Sequence, residues 1–204
     1  MWEKLIYVVF FAELQFSKAI SQVKNQVRTI FMTPSFATCD FCDDHKNDAP
    51  ELFRVLPPVF RDFGARRTFC GIAVTVKCFE DNTLVKALLD TAGFIDTPEG
   101  RVGKVLVVDG GGSLRRALLG DKIGAAAAKN GWAGVVIDGC VRDVNQLATL
   151  DVGIRALASM PLPTDRKNQG LQDLAVQIQG VWVNPGEWLY ADADGMVISP
   201  TRLA

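Results

Sequence analysis

Two apolar runs, Lys104–Asp109 (KVLVVD) and Ala133–Asp138 (AGVVID), constrain the fold of this chain more than any other feature. Each is too short for a buried helix and lacks the polar alternation of a half-exposed strand. Each therefore reads as a strand buried on both faces, the kind found in parallel sheets covered by helices. Between them, the stretch from Asp121 to Asn130 carries four consecutive alanines, with Asp121 placed to cap a helix and Gly131 to close it. Strand, helix and strand in that order predict a right-handed parallel crossover.

The flanking sequence extends the pattern. Phe69–Lys77 (FCGIAVTVK) alternates and is rich in β-branched residues, so a strand is expected. Asn82–Thr91 places Leu84, Val85, Leu88 and Leu89 at helical spacing, with Gly93 to stop the helix. Cys39–Lys46 reads as a short helix capped by Thr38. Gly110–Gly112 read as a tight turn, after which Ser113 caps a short helix through Leu119 that Gly120 ends. Val144–Leu150 begins another helical stretch, and Gly153–Ser159 returns to a strand. The tail from Val176 to Pro200 reads as mostly β, with turns at Asn184-Pro185-Gly186 and Asp194-Gly195. The expected architecture is a three-layer α/β domain with a parallel central sheet and a second β-sheet.

A chain of 204 residues has room for one well-filled core and not for two ordinary domains. Residues 1–31 read differently from the rest. Their apolar run Leu5–Phe11 follows Lys4 and is at the lower limit for a secretory signal, but no cleavage site follows it. It is far short of the roughly twenty residues a membrane span needs. The segment reads as a dispensable extension ahead of a single domain over residues 32–204, with Met32 as the natural start.

Lys and Arg number 22 against 23 Asp and Glu, a formal charge of −1. Direct nucleic-acid binding draws on a basic surplus that this chain lacks, so nucleic acid is not an expected partner. The five cysteines, Cys39, Cys42, Cys70, Cys78 and Cys140, are odd in number and scattered, which fits free thiols in a reducing cytoplasm. Cys39 and Cys42 with His45 make half a zinc site, but no second ligand pair stands at zinc spacing. His45 is the sole histidine. Triads, His-rich metal sites and imidazole relays would all need it, so catalysis is expected to rest on carboxylates, Arg, Lys and an oxygen-ligated metal.

Ligands of parallel α/β sheets gather beyond the carboxyl ends of strands. Two segments fall there, Gly110–Asp121 after KVLVVD and Gly139–Asp143 after GVVID. Gly120-Asp121-Lys122-Ile123 opens a helix whose free amides and positive dipole end suit a small anion, although capping by Asp121 explains the same pattern. Arg142-Asp143 offers a planar fork for a carboxylate and a hard oxygen for magnesium or manganese, although a surface ion pair or a helix cap would look alike. Asp109-Gly-Gly-Gly-Ser has neither the Lys-Ser/Thr of a P-loop nor the spacing of a dinucleotide fingerprint. Arg115-Arg116 reads as a solvated or ion-paired face.

Together with Val76–Asn82, Val105–Arg116, Asp151–Arg155 and Leu189–Gly195, the block Gly139-Cys-Val-Arg-Asp143 resembles the regulator of ribonuclease E activity A family, in the family's order and over most of Gly71–Gly195. The resemblance implies a swivelling β/β/α domain, with a parallel central sheet and a second antiparallel sheet, assembled as a homotrimer and sometimes a hexamer. Some members bind and inhibit ribonuclease E. Others are 4-hydroxy-4-methyl-2-oxoglutarate aldolases that also decarboxylate oxaloacetate.

The aldolase pattern, a Gly-Asp loop followed by an Arg-Asp pair, maps onto Gly120-Asp121 and Arg142-Asp143. Regulator-type members usually lack the aspartate at the position of Asp143, so its presence points to the enzyme. The resemblance implies Arg142 and the amides of Gly120, Asp121, Lys122 and Ile123 as the grip on a 2-oxo acid. It implies Asp143 as the ligand of Mg2+ (or Mn2+), with Asp121 reaching the cation through water. The base for the 4-hydroxyl would be a carboxylate or a water. One departure stands out: Gln146 occupies the place of a further acidic residue. A neighbouring subunit is also expected to contribute an acid, for which Glu187 and Asp192 are candidates.

Overall fold

The computed structural model describes residues 35–204. The extension expected over residues 1–31, and Met32, lie outside the described residues. The fold centres on four parallel strands in the order β3 (Phe69–Lys77), β5 (Gly100–Leu119), β6 (Gly134–Val141) and β7 (Gly153–Ser159). Antiparallel strands extend both sides. β11 (Trp188–Ala191), β12 (Met196–Ser199) and β1 (Arg54–Val55) lie beyond β3, and β2 (Arg61–Asp62) lies beyond β7. β4 (Phe94–Thr97) pairs with the start of β5, and β8 (Leu171–Gln172) with the end of β3.

The two faces of the sheet alternate as the buried apolar runs require. Leu106, Val108, Val135, Ile137, Ile154 and Ala156 meet Val85 and Leu89 of α2 (Thr83–Leu89) and Ile123 and Ala127 of α3 (Asp121–Lys129). Val105, Val107 and Val136 face the other way. They pack under Val176, Ile178 and Val183 of a separate antiparallel hairpin, β9 (Val176–Ile178) and β10 (Val181–Val183). This gives the β/β/α layering. Each such fully buried aliphatic side chain contributes about 1.5–3 kcal/mol relative to exposure. Glycines allow the closest approaches: a Cβ at Gly134 or Gly153 would stand 2.3 or 2.1 Å from the Phe69 ring.

Three local expectations are corrected. Ser113–Leu119 is not a helix; β5 continues through bulges to Leu119, because Ser113, Ala117 and Leu119 pair with Gly139, Cys140 and Val141. The intervening residues loop out at register shifts, and Gly111 and Gly112 supply the positive φ of +66° and +65°. Long-range pairing with β6 has overridden the local capping signal. Arg115 and Arg116 therefore lie in a strand rather than a helix, ion-paired to Glu80 and Asp165.

Thr38 is not a cap but the first residue of α1 (Thr38–His45), and Ala37 occupies the cap position. The Thr38 amide and hydroxyl both donate to the Asp192 carboxylate, at 2.6 and 2.7 Å. Asp121 likewise opens α3 rather than preceding it, with Gly120 at the cap. Among the described residues no helix is long and apolar enough to cross a membrane.

Candidate active site at the ends of the two central strands

The strands β5 and β6 end side by side, Leu119 beside Val141, and both candidate segments begin there. The Arg142 amide donates to the Leu119 carbonyl at 2.9 Å, which fixes the two chain exits against each other. The chain from β5 turns at Gly120 into α3, and the chain from β6 passes through Arg142 and Asp143 into α4 (Val144–Leu147).

Asp143 has a left-handed backbone, φ 58° and ψ 41°, a conformation that costs energy for a residue with a Cβ. Its carbonyl accepts from the amides of Gln146 and Leu147, yet its carboxylate makes no cap to its own helix. Instead Oδ2 accepts from the Asp121 amide at 3.2 Å and lies 3.3 Å from the Arg142 Nε. Aspartate is a favoured N-cap, yet this carboxylate is turned away from its own helix and toward α3.

Gly120 makes that approach feasible. A Cβ there would stand 2.6 Å from Asp143 Oδ2 and 3.1 Å from both Cγ and Nε of Arg142. The Arg142 and Asp143 side chains remain 38% and 34% exposed, so both are open to a ligand. Asp121 Oδ1 accepts from the Lys122 amide at 2.7 Å. The amides of Asp121 and Lys122 are thus held by carboxylate oxygens of the protein itself. Lys122 is exposed, whereas the Ile123 side chain is buried in the core, so Ile123 has only its backbone to offer. All six residues singled out in the sequence are brought together by these contacts and by chain continuity.

The pattern of the RraA-like family (Aldolase/RraA) matches residues 38–198. The chain belongs to the RraA-like family. A protein of Albidiferax ferrireducens, named provisionally as a 4-hydroxy-4-methyl-2-oxoglutarate aldolase, is 73% identical over 84% of this chain and 99% of its own. One of the same provisional name from Pseudomonas entomophila is 52% identical over 82% of this chain and 96% of its own. Among solved structures, the RNA-processing inhibitor RraA of a Thermus species matches with a TM-score of 0.75 at 38% identity, covering 84% of this chain and 96% of that one.

The RraA-like site suits a hard divalent cation. Magnesium is held by one or two carboxylates and otherwise by waters and substrate oxygens. Asp143 and Asp121 flank the glycine cradle and could supply such oxygens, and among the described residues no sulfur or imidazole joins them in a cluster. Among the described residues no cluster of three or more His, Cys, Asp or Glu side chains forms, and the thiols of Cys39 and Cys42 are free.

The remaining acidic candidates are engaged elsewhere. Glu187 pairs with Arg54 at 2.6 Å and accepts from Asn184. Asp192 holds Thr38, Asp194 and Gly195. Burial works to raise both carboxyls, and the hydrogen bonds outweigh it, holding both below their ordinary values. Gln146 is exposed on α4.

Sequence reasoning missed the segment Met160–Gly170, which runs past the ends of β6 and β5 close to the candidate residues in the chain. Its Met160 amide donates to the Val141 carbonyl at 2.8 Å, one residue before Arg142. Its Pro and Gly residues mark a loop, but nothing in the sequence gives the path of that loop.

Proposed function

We propose that this chain is a divalent-metal-dependent aldolase. It would cleave 4-hydroxy-4-methyl-2-oxoglutarate, or a similar 2-oxo acid, to pyruvate, with oxaloacetate decarboxylation as a side activity. The observation that carries the proposal is the Asp143 carboxylate, turned across Gly120 onto the start of α3 and beside the Arg142 guanidinium. The names of the close relatives support the same chemistry.

In this reading the Arg142 fork takes the substrate carboxylate in bidentate fashion. The positive end of α3 adds to that attraction. Asp143, assisted by Asp121, holds Mg2+ or Mn2+. When bound, the cation supplies Lewis acidity that draws electron density from the 2-oxo group. Cleavage breaks the C3–C4 bond. Its electron pair passes to C3 and leaves one fragment as the enolate of pyruvate, while the 4-hydroxyl gives up its proton as the new carbonyl completes the other pyruvate. The proton is then delivered to C3 of the enolate, giving two pyruvates in all. A carboxylate of the site relays that proton, and Asp121 at the rim is the candidate. No Schiff-base lysine is needed.

The test is pyruvate release from oxaloacetate and from 4-hydroxy-4-methyl-2-oxoglutarate, with magnesium and with chelator. Magnesium-dependent release that disappears in Asp143→Ala is the expected result. Unchanged turnover in Asp143→Ala would sink the metal assignment. No release above background from folded wild-type protein would favour a second reading, inhibition of ribonuclease E, which the Thermus match supports. Binding to that enzyme would then be measured. The exposure of Arg142 and Asp143 also suits a site completed by a neighbouring copy, as in the homotrimer expected from the family.

A further inference from the structure

The segment Met160–Gly170 crosses the carboxyl ends of the parallel strands in sequence. It leaves β7, bonds Val141 at the end of β6 through the Met160 amide at 2.8 Å, and reaches β5, where the Leu162 carbonyl accepts from the Ala117 amide at 2.8 Å. Arg116 then donates to the Pro163 carbonyl at 3.0 Å and pairs with Asp165 at 3.4 Å. The strap finally arrives beside β3, before the chain pairs with that strand as β8. Its first two anchors, Val141 and Ala117, lie one residue before Arg142 and three before Gly120. The strap therefore borders the substrate-binding residues.

Its far end is held by one side chain. Asp81 is fully buried, and no ion pair to it is found among the described residues. Its Oδ2 accepts from the amides of Lys167 and Gln169 at 2.7 and 3.1 Å, while Oδ1 accepts from the amide and hydroxyl of Thr83 at 2.7 and 2.6 Å. The Thr83 hydroxyl in turn accepts from the Asn168 amide at 3.4 Å. Burying a carboxylate without a cation is unfavourable unless its oxygens are hydrogen-bonded, and here all of those bonds go to the strap and to the first turn of α2.

The strap itself is not fully satisfied, because the Thr164 hydroxyl is buried without a partner. Beside Asp81, the Asn82 Oδ1 is likewise unpartnered, while Asn82 Nδ2 donates to the Leu118 carbonyl, two residues before Gly120. Asn168 takes a positive φ of 55°, a left-handed conformation that costs energy for a residue with a Cβ, whereas Gly170 adopts its φ of 136° freely. A strap with one strained residue and an unpartnered hydroxyl depends heavily on its strongest anchor.

We propose that Asp81 is a positioning residue for the reaction: through the strap Met160–Gly170 it holds the wall of the substrate site beside Arg142 and Gly120. This role rests on the lyase reading above. Asp81→Asn is the informative change, because an amide group cannot accept on both sides and must turn an N–H toward either the strap amides or Thr83. Arg166 and Lys167 lie within the strap and are exposed, so trypsin reports its release.

In Asp81→Asn, cleavage after Arg166 or Lys167 is expected to accelerate at least tenfold, and KM for oxaloacetate to rise about fivefold or more, with kcat changed less than KM. Leu89→Ala, which opens a void at the far end of α2, should lower the melting temperature without either effect. Asp81→Glu, which keeps both acceptor oxygens, should restore part of the lost KM. Faster cleavage with an unchanged KM would make Asp81 a structural clamp and overturn the proposal. So would an unchanged cleavage rate, or a KM rise matched in Leu89→Ala. Absence of wild-type turnover would take down the lyase reading and this role with it. Normal wild-type turnover with an unaltered KM in Asp81→Asn would overturn this role alone.

Discussion

Adding one methyl group at Gly120 should cost activity far more than stability. The backbone there is extended, φ −134° and ψ −170°, so any residue adopts it without strain. The methyl carbon of Gly120→Ala would stand 2.6 Å from Asp143 Oδ2, roughly 0.8 Å inside ordinary van der Waals contact, and 3.1 Å from Arg142 Nε. Those side chains are about one-third exposed and can rotate away, so the fold yields easily. Replacing a favoured cap residue by Ala costs about 1 kcal/mol, a fall of roughly 2–4 °C in melting temperature for a chain of this size.

The displaced atoms are the carboxylate and guanidinium assigned to cation and substrate. A misplacement approaching 1 Å at such groups costs on the order of 100-fold, or about 2.7 kcal/mol of transition-state stabilisation. The assay couples pyruvate release from oxaloacetate to its reduction by lactate dehydrogenase at saturating magnesium, beside a thermal melt of the same preparation. A folded Gly120→Ala protein with kcat/KM within twofold of wild type would refute the reasoning, because the cradle would then not be where substrate and cation bind.

Two further outcomes follow from the packing and electrostatics. Gly153→Ala sets a Cβ 2.1 Å from the Phe69 ring in the core, which should destabilise by about 3 kcal/mol; a denaturant midpoint equal to wild type would contradict this packing. Burial works to raise the Asp81 carboxyl, but hydrogen bonds from Thr83, Gln169 and Lys167 hold it below its ordinary value. Its contribution to stability is therefore full above the ordinary carboxylate range and is lost as pH falls through the lowered value. Melting temperature should fall less steeply on acidification from about pH 5 to 3 in Asp81→Asn than in wild type, and equal slopes would show that Asp81 carries no such linkage.

The long buried strands and the layers that cover them could be read from the sequence. The runs Lys104–Asp109 and Ala133–Asp138 have no polar face to give to water, so only a two-sided burial satisfies them, and the structure covers them with α2 and α3 on one face and the β9–β10 hairpin on the other. Gly120-Asp121 and Arg142-Asp143 are candidates in the sequence because they lie beyond buried strands, where such sheets bind ligands; that Gly120 follows directly on a strand, rather than on a helix, is visible only in the structure. Local signals failed where a distant partner outbid them. Ser113 looked like a helix cap, but Ala117 and Leu119 pair with Cys140 and Val141, and only the register of β6 decides that. Thr38 looked like a cap, but Asp192, far along the chain, takes its hydroxyl. Tertiary structure alone turned the Asp143 carboxylate onto the amide of Asp121, and alone drew the strap from β7 across to Asp81. Neither contact leaves a local trace, because each joins groups brought together by the folding of chain between them, and a sequence pattern records only neighbours along that chain.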